Sequence, residues 1–273
     1  MKLAVSNIAW PAEDDAAAYE LLHAYGVRGL EVAPTRVWGS WDVSPGQVEA
    51  LRADLNARGF QCSSLQAILY SKPELTVFDG NPSDLYKHMQ HVARIASTLG
   101  AGPLVFGSPK NRRKGDRSLE EAMDEAAPVF QKIAAICLEQ GVTLGLEPNP
   151  TDYTCDFLTN AADAAQFVAK VGHPGLKLHL DAAGMYLAGD DAAEMIRDYG
   201  HLLVHIHASE PFLGSLAEPQ VDHASIASAL HEINWQGWVS LEMRASETPL
   251  ASLETSLETF TQIYGNSIDG VRA

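Results

Sequence analysis

Apolar runs rich in Val, Ile and Leu alternate with helix-like patterns eight times along this chain of 273 residues. The runs fall at 2–10, 29–34, 60–69, 102–108, 142–149, 176–181, 202–208 and 237–243. Between them the spacing predicts helices near 12–25, 45–58, 84–99, 119–140, 159–171, 190–200, 223–233 and 250–264. Eight strands, each followed by a helix, imply an α/β fold of the single (β/α)8 TIM-barrel type. An open doubly wound sheet usually has fewer strands and a glycine-rich first turn. Here that turn reads Ala9-Trp10-Pro11-Ala12, with no phosphate-binding glycines. Local signals agree: Ser44-Pro45, Ser83 before Asp84, and Ser118 ahead of Glu120 and Glu121 suit helix starts. Gly59, Gly100 and Gly141 suit helix ends. No low-complexity segment divides the chain, so residues 1–273 are expected to form one domain.

Side-chain alternation then places four polar residues together. In the fifth strand Val142, Leu144 and Leu146 share the outer face, leaving Thr143, Gly145, Glu147 and Asn149 inside. The same parity turns Lys177, His179 and Asp181 inward on the sixth strand and His205 and His207 on the seventh, with Val204 and Ile206 outward. On the eighth it turns Ser240, Glu242 and Arg244 inward. Glu147, Asp181, His207 and Glu242 stand 34, 26 and 35 residues apart, about one strand–helix unit each, near the C-terminal strand ends. Barrel interiors are normally filled by branched apolar side chains, and buried carboxylates are costly unless paired or metal-bound. Four such residues at one height predict a divalent-metal site with Glu147, Asp181, His207 and Glu242 as ligands.

Composition narrows the partners. The formal net charge of −16 disfavours nucleic acid. No apolar run reaches membrane-span length. Three widely spaced cysteines, and an N-terminus that makes a poor secretory signal, point to a reducing cytoplasm. Against the acidic background, Lys110, Arg112, Arg113, Lys114 and Arg117 form a local basic run on a loop expected at the site face. Solvated charge and a clamp for a phosphate or carboxylate are both open readings of it.

The motifs Gly29-Leu30-Glu31, Leu146-Glu147-Pro148-Asn149, His179-Leu180-Asp181, His205-Ile206-His207 and Leu241-Glu242 resemble the sugar isomerase/epimerase superfamily. These are xylose-isomerase-like barrels that include ketose 3-epimerases and inosose dehydratases. The resemblance covers essentially the whole chain. It implies that Glu147 and Glu242 both bind metal and move protons, while Asp181 and His207 complete the metal site. The chain departs from the ketose 3-epimerase pattern at two places. Gly184 stands where a histidine is common, and no arginine follows His207 within residues 208–214.

A mostly oxygen donor set favours Mn²⁺ or Mg²⁺, with Co²⁺ or Zn²⁺ compatible. Such an ion can stabilise an enediolate while one glutamate removes a proton and the other returns one to the opposite face. The expected activity is therefore a metal-dependent sugar epimerase or isomerase acting on a small sugar or sugar derivative. A keto-sugar or keto-inositol dehydratase on the same site, and a non-catalytic sugar-binding or partner subunit, remain alternatives. A homo-oligomer is compatible with the sequence. Trp10, Glu31, Lys110, Arg112, Arg113, Asn149, Glu210, His223 and Arg244 are the candidate substrate contacts. Core packing competes for Trp10 and a structural ion pair for Glu31. Asp222 reads as a helix cap, and His179 and His205 as supporting hydrogen-bonders.

Overall fold

A computed structural model describes residues 1–265. Eight parallel strands close in sequence order: β1 (Lys2–Ser6), β2 (Gly29–Val32), β3 (Gln61–Leu65), β4 (Pro103–Phe106), β5 (Thr143–Leu146), β6 (Leu176–Asp181), β7 (Leu203–Ser209) and β8 (Trp238–Glu242). β1 pairs with both β2 and β8, so the sheet has no open edge. Around it lie α1 (Asp15–Ala24), α2 (Pro34–Trp38), α3 (Pro45–Ala57), α4 (Ser83–Leu99), α5 (Leu119–Glu139), α6 (Ala161–Val171), α7 (Ala182–Ala188), α8 (Ala192–Tyr199), α9 (His223–Glu232) and α10 (Pro249–Tyr264). No helix among the described residues is long and apolar enough to cross a membrane.

The strand faces explain the packing. Leu144, Leu146, Leu178, Leu180, Val239 and Leu241 are fully buried in the core shared with the helices. Each such side chain stabilises the fold by roughly 1.5–3 kcal/mol. The barrel interior is instead unusually polar: Ser6, Glu31, Ser64, His179, His205 and Ser240 are all fully buried. Helix starts follow the expected chemistry. Ser44 with Gln47 and Ser118 with Glu121 form complete capping boxes on α3 and α5. Asp222 caps α9 by accepting from Ser225 N. Gly59, Gly100 and Gly141 take the left-handed φ that ends a helix.

Three details differ from the sequence expectation. The strands stop earlier, most clearly β1 and β3, because the apolar runs continue into loops at the C-terminal mouth. The segment expected as one helix at 190–200 is preceded by a separate short helix, α7, which Asp181 caps. The β6–β7 register runs from Leu178 opposite Leu203 to His179 opposite His205, so Val204 is bulged out of the ladder. Val204 therefore does not face outward. A Cβ placed on Gly145 would lie 3.1 Å from Val204 Cγ1 and 3.3 Å from His179 Cβ, inside the barrel. A second irregularity in β2–β3 sets Ser64 opposite Glu31.

Candidate active site

Asp181 and His207 are direct partners across β6–β7, and Ser209 faces Glu242 across β7–β8. Glu147 follows β5, its N–H donating to Phe106 O at 3.1 Å. This register gathers the four side chains. Glu147, Asp181 and His207 each offer a ligand atom within 4.8 Å of the others. Glu242 Oε2 lies 3.1 Å from His207 Nδ1, and Asp181 Oδ2 lies 3.7 Å from the same nitrogen.

His207 is oriented from below. Its Nε2–H donates to the Glu31 carboxylate, with both oxygens at 3.0 Å. That bond fixes Nδ1 as the nitrogen facing the carboxylates, where it forms no aligned hydrogen bond. His205 Nε2 lies 3.5 Å from Glu31 and 3.1 Å from Ser64 Oγ. Burial alone would raise the Glu31 carboxyl, but His207 and His205 hold it well below the ordinary range. Burial alone would lower His207, but Glu31 and Glu242 hold it well above. His179 is pushed well below the ordinary value, first by burial and then by His207 and His205. His179, His205 and His207 also bring ring nitrogens within 4.8 Å of one another. In that set His207 Nε2 is already committed to Glu31, and His205 Nε2 lies against Ser64 and Glu31.

The upper carboxylates fit a cation. Glu147 is pushed up to about 8, first by burial and then by Asp181. Asp181 is pushed up to about 6, first by burial and then by Glu242. Asp181 has further partners: its Oδ1 accepts Gly184 N–H at 2.6 Å and its Oδ2 accepts the Ser209 hydroxyl. A Cβ at Gly184 would lie 3.1 Å from Asp181 Oδ1, so a histidine there would crowd the carboxylate. Converging carboxylates raised by burial and then by one another, with an unbonded imidazole nitrogen among them, suit a divalent ion.

Above this cluster is a cavity of about 420 Å³. Glu147, Asp181, Glu242, Asn149 and Arg244 line it, together with Tyr153, Ser209, Phe212 and Leu213. Asn149 donates to Glu147 O at 3.3 Å, and Arg244 is exposed at the rim. Tyr153 and Phe212 were not expected from the sequence. They sit on irregular loops, where strand parity gives no direction. Their rings meet edge-on at 5.7 Å, and the Tyr153 hydroxyl accepts Phe212 N–H.

Several expected substrate contacts lie elsewhere. Trp10 is buried; its indole N–H donates to Asp15, and Arg36 stacks over its ring. It anchors the β1–α1 connection and forms no wall of the cavity. Glu31 is fully buried beneath His207, out of reach of a sugar hydroxyl. Glu210 reaches the cavity wall, but its carboxylate accepts Gln220 N–H, Val221 N–H and His223 Nε2–H. His223 is held between Glu210 and the Tyr264 hydroxyl and does not reach the mouth. Arg112 is fully buried, donating to the carbonyls of Gly107, Phe157 and Glu147 at 2.8, 3.0 and 2.6 Å. It holds loops together and is not an anion clamp. Lys110 and Arg113 are exposed.

Residues 19–263 match the model of the xylose isomerase-like TIM barrel. The chain belongs to that family. An L-ribulose 3-epimerase of Methylomonas sp. (strain DH-1) is 26% identical over 155 residues, 57% of this chain and 54% of that protein. The chain thus spans about half the length of the curated relatives it matches. The D-psicose 3-epimerase of Clostridium cellulolyticum H10, solved with D-tagatose, superposes with a TM-score of 0.80 over 97% of this chain and 99% of that one, at 17% identity. The IolI protein with a bound zinc atom superposes with a TM-score of 0.75 over 97% of this chain and 98% of that one, at 17% identity. At these identities the structural matches speak to the fold.

Proposed function

We propose that the protein is a divalent-metal-dependent sugar epimerase that inverts a carbon next to a ketone. The observation that carries this reading is the pair of glutamates, Glu147 and Glu242, lining one cavity around His207 Nδ1. The curated 3-epimerase relatives support the reaction class. Glu147, Asp181, Glu242 and His207 Nδ1 would hold the ion, with Mn²⁺ or Mg²⁺ suited to the oxygen-rich set. When bound, the ion supplies Lewis acidity to a carbonyl and its neighbouring hydroxyl.

The remaining work falls to the chain's own groups. Glu31 fixes the tautomer of His207. Ser209 and Gly184 hold Asp181. One glutamate takes the proton from the carbon beside the ketone, and the other delivers a proton to the opposite face. A carboxyl pushed up towards neutral pH, as Glu147 is, is well matched to both giving and taking a proton. Tyr153, Phe212 and Leu213 form the apolar wall that shields the reacting carbon from water, and Arg244 offers donors to sugar hydroxyls at the rim.

The test incubates Mn²⁺-loaded protein with D-fructose, D-tagatose and L-ribulose in D₂O and follows deuterium uptake by NMR. Wild type is expected to exchange the proton beside the ketone of at least one sugar and to form its epimer. Glu147→Gln and Glu242→Gln should lose turnover by roughly 10²–10⁴-fold, while Gln keeps an oxygen donor for the ion. Normal turnover in both variants with metal still bound would refute the two-glutamate mechanism.

A further inference from the structure

A second cavity of about 530 Å³ adjoins the first, and Tyr153 lines both. Loops after β3 and β4 build it, with Tyr153 and Thr154 from the loop after β5. Two features set it apart. First, its charge is opposite to that of the catalytic cluster: Lys72 and Lys110 line it, and no carboxylate does. In the basic run, Arg112 is committed to three carbonyls, Lys114 to two, and Arg117 to Glu125 and Asp79. Lys110 alone of the run opens into this space. Lys72 joins it from a different loop, with only a long 3.7 Å contact to Glu74.

Second, the walls are built and strained. The buried Asn111 side-chain amide donates to the carbonyls of Lys72 and Leu75 at 2.7 Å, and the Asn111 backbone carbonyl accepts Val77 N–H at 2.8 Å, locking the two loops together. Ala67, Ser71, Ser108 and Thr154, all lining the cavity, adopt left-handed φ of 53°, 62°, 43° and 60°. Left-handed backbone is unfavourable for non-glycine residues, and strain of this kind gathers at ligand sites.

We propose that this cavity is a subsite for an anionic oxygen group, a phosphate or a carboxylate, at the far end of the sugar whose ketone end sits at the carboxylate cluster. The proposal rests on the epimerase reading for its reacting end and extends it to the substrate class: acidic keto-sugars in preference to neutral ones. The two cavities divide the labour by charge. An anionic substituent is drawn to Lys72 and Lys110, which fixes which end of the sugar faces the glutamates.

The experiment measures KM and proton exchange in D₂O for D-fructose, D-fructose 6-phosphate and D-fructuronate, using the Mn²⁺-loaded full chain. At least one acidic sugar is expected to show KM at least 10-fold below that of D-fructose, and the two acids separate phosphate from carboxylate recognition. Lys72→Met with Lys110→Met should bring that ratio close to one, and Lys72→Arg with Lys110→Arg should restore it. Equal KM for all three sugars, or a ratio that the Met pair leaves unchanged, overturns the subsite. If no sugar exchanges its proton, calorimetry of the same sugars decides the subsite separately. Tighter binding of an acid, lost in the Met pair, sustains the subsite while the epimerase reading falls; binding without that preference removes both.

Discussion

Gly107→Ala should disable the site without touching any proposed ligand. Gly107 follows β4, and a Cβ added there would lie 2.1 Å from Glu147 Oε2 and 3.2 Å from both Glu147 Cδ and Asn149 Nδ2. Ordinary contact begins near 3.4 Å, so the carboxylate must retreat by about 1.3 Å. The backbone is poorly placed to yield instead, because Gly107 O is held by Arg112 Nε at 2.8 Å. Gly107 does not adopt a positive φ, so alanine itself fits the local backbone. The strain therefore passes to the Glu147 side chain. Misplacement of a reacting group by about 1 Å can cost roughly 10²-fold in rate. We expect that loss in proton exchange, together with at least a 10-fold weaker Mn²⁺ affinity by metal titration. The melting temperature of the metal-free protein should stay close to wild type. Glu147→Asp withdraws the carboxylate by one C–C bond, about 1.5 Å, so in the Gly107→Ala background it should recover part of the loss. Wild-type metal affinity and turnover in Gly107→Ala would refute the placement of Glu147 at the reacting centre.

Two further outcomes follow from the buried charges. Glu147 has a raised folded pKa, and for an acid this stability is present below the ordinary carboxyl value and lost as pH rises through the folded one. Between about pH 7 and about pH 8.5, where His179 and His205 are already neutral, the metal-free melting temperature should fall. The increase produced by Mn²⁺ should grow over the same window as the ion replaces the proton; calorimetric scans at constant ionic strength check both, and flat curves would show that Glu147 is not held protonated. Arg112→Ala should remove three hydrogen bonds at once, leaving Glu147 O with only the Asn149 amide, Phe157 O with only the Cys155 thiol, and Gly107 O without its Arg112 donor, at roughly 1–3 kcal/mol for a buried group left unsatisfied. Urea denaturation should show a loss of several kcal/mol, and a change under about 0.5 kcal/mol would refute the structural role.

What could be read from the chain divides along physical lines. The strands and most helices were legible because burial imposes a period, and that period is written in Leu144, Leu146, Leu178 and Leu180 on one side and Glu147, His179 and Asp181 on the other. The same rule failed at Val204, where a bulge resets parity without any residue that marks it. It was silent at Gly107, Tyr153 and Phe212, which lie on loops whose course is set by the finished barrel. Glu31, His223 and Trp10 have the right chemistry for a sugar contact, and β2 carries Glu31 into the barrel, fully buried. Their role was decided by what closes over them: His205 and His207 above Glu31, Glu210 and Tyr264 around His223, Asp15 and Arg36 around Trp10. The basic run shows the same point most sharply. Five cations within eight residues have different fates, and the one that opens into a cavity, Lys110, shares it with Lys72 from another loop. Charge becomes available to a ligand only where the fold leaves it without a nearer partner, so the pairing of Lys72 with Lys110 belongs to the tertiary structure and has no counterpart in the linear order of residues.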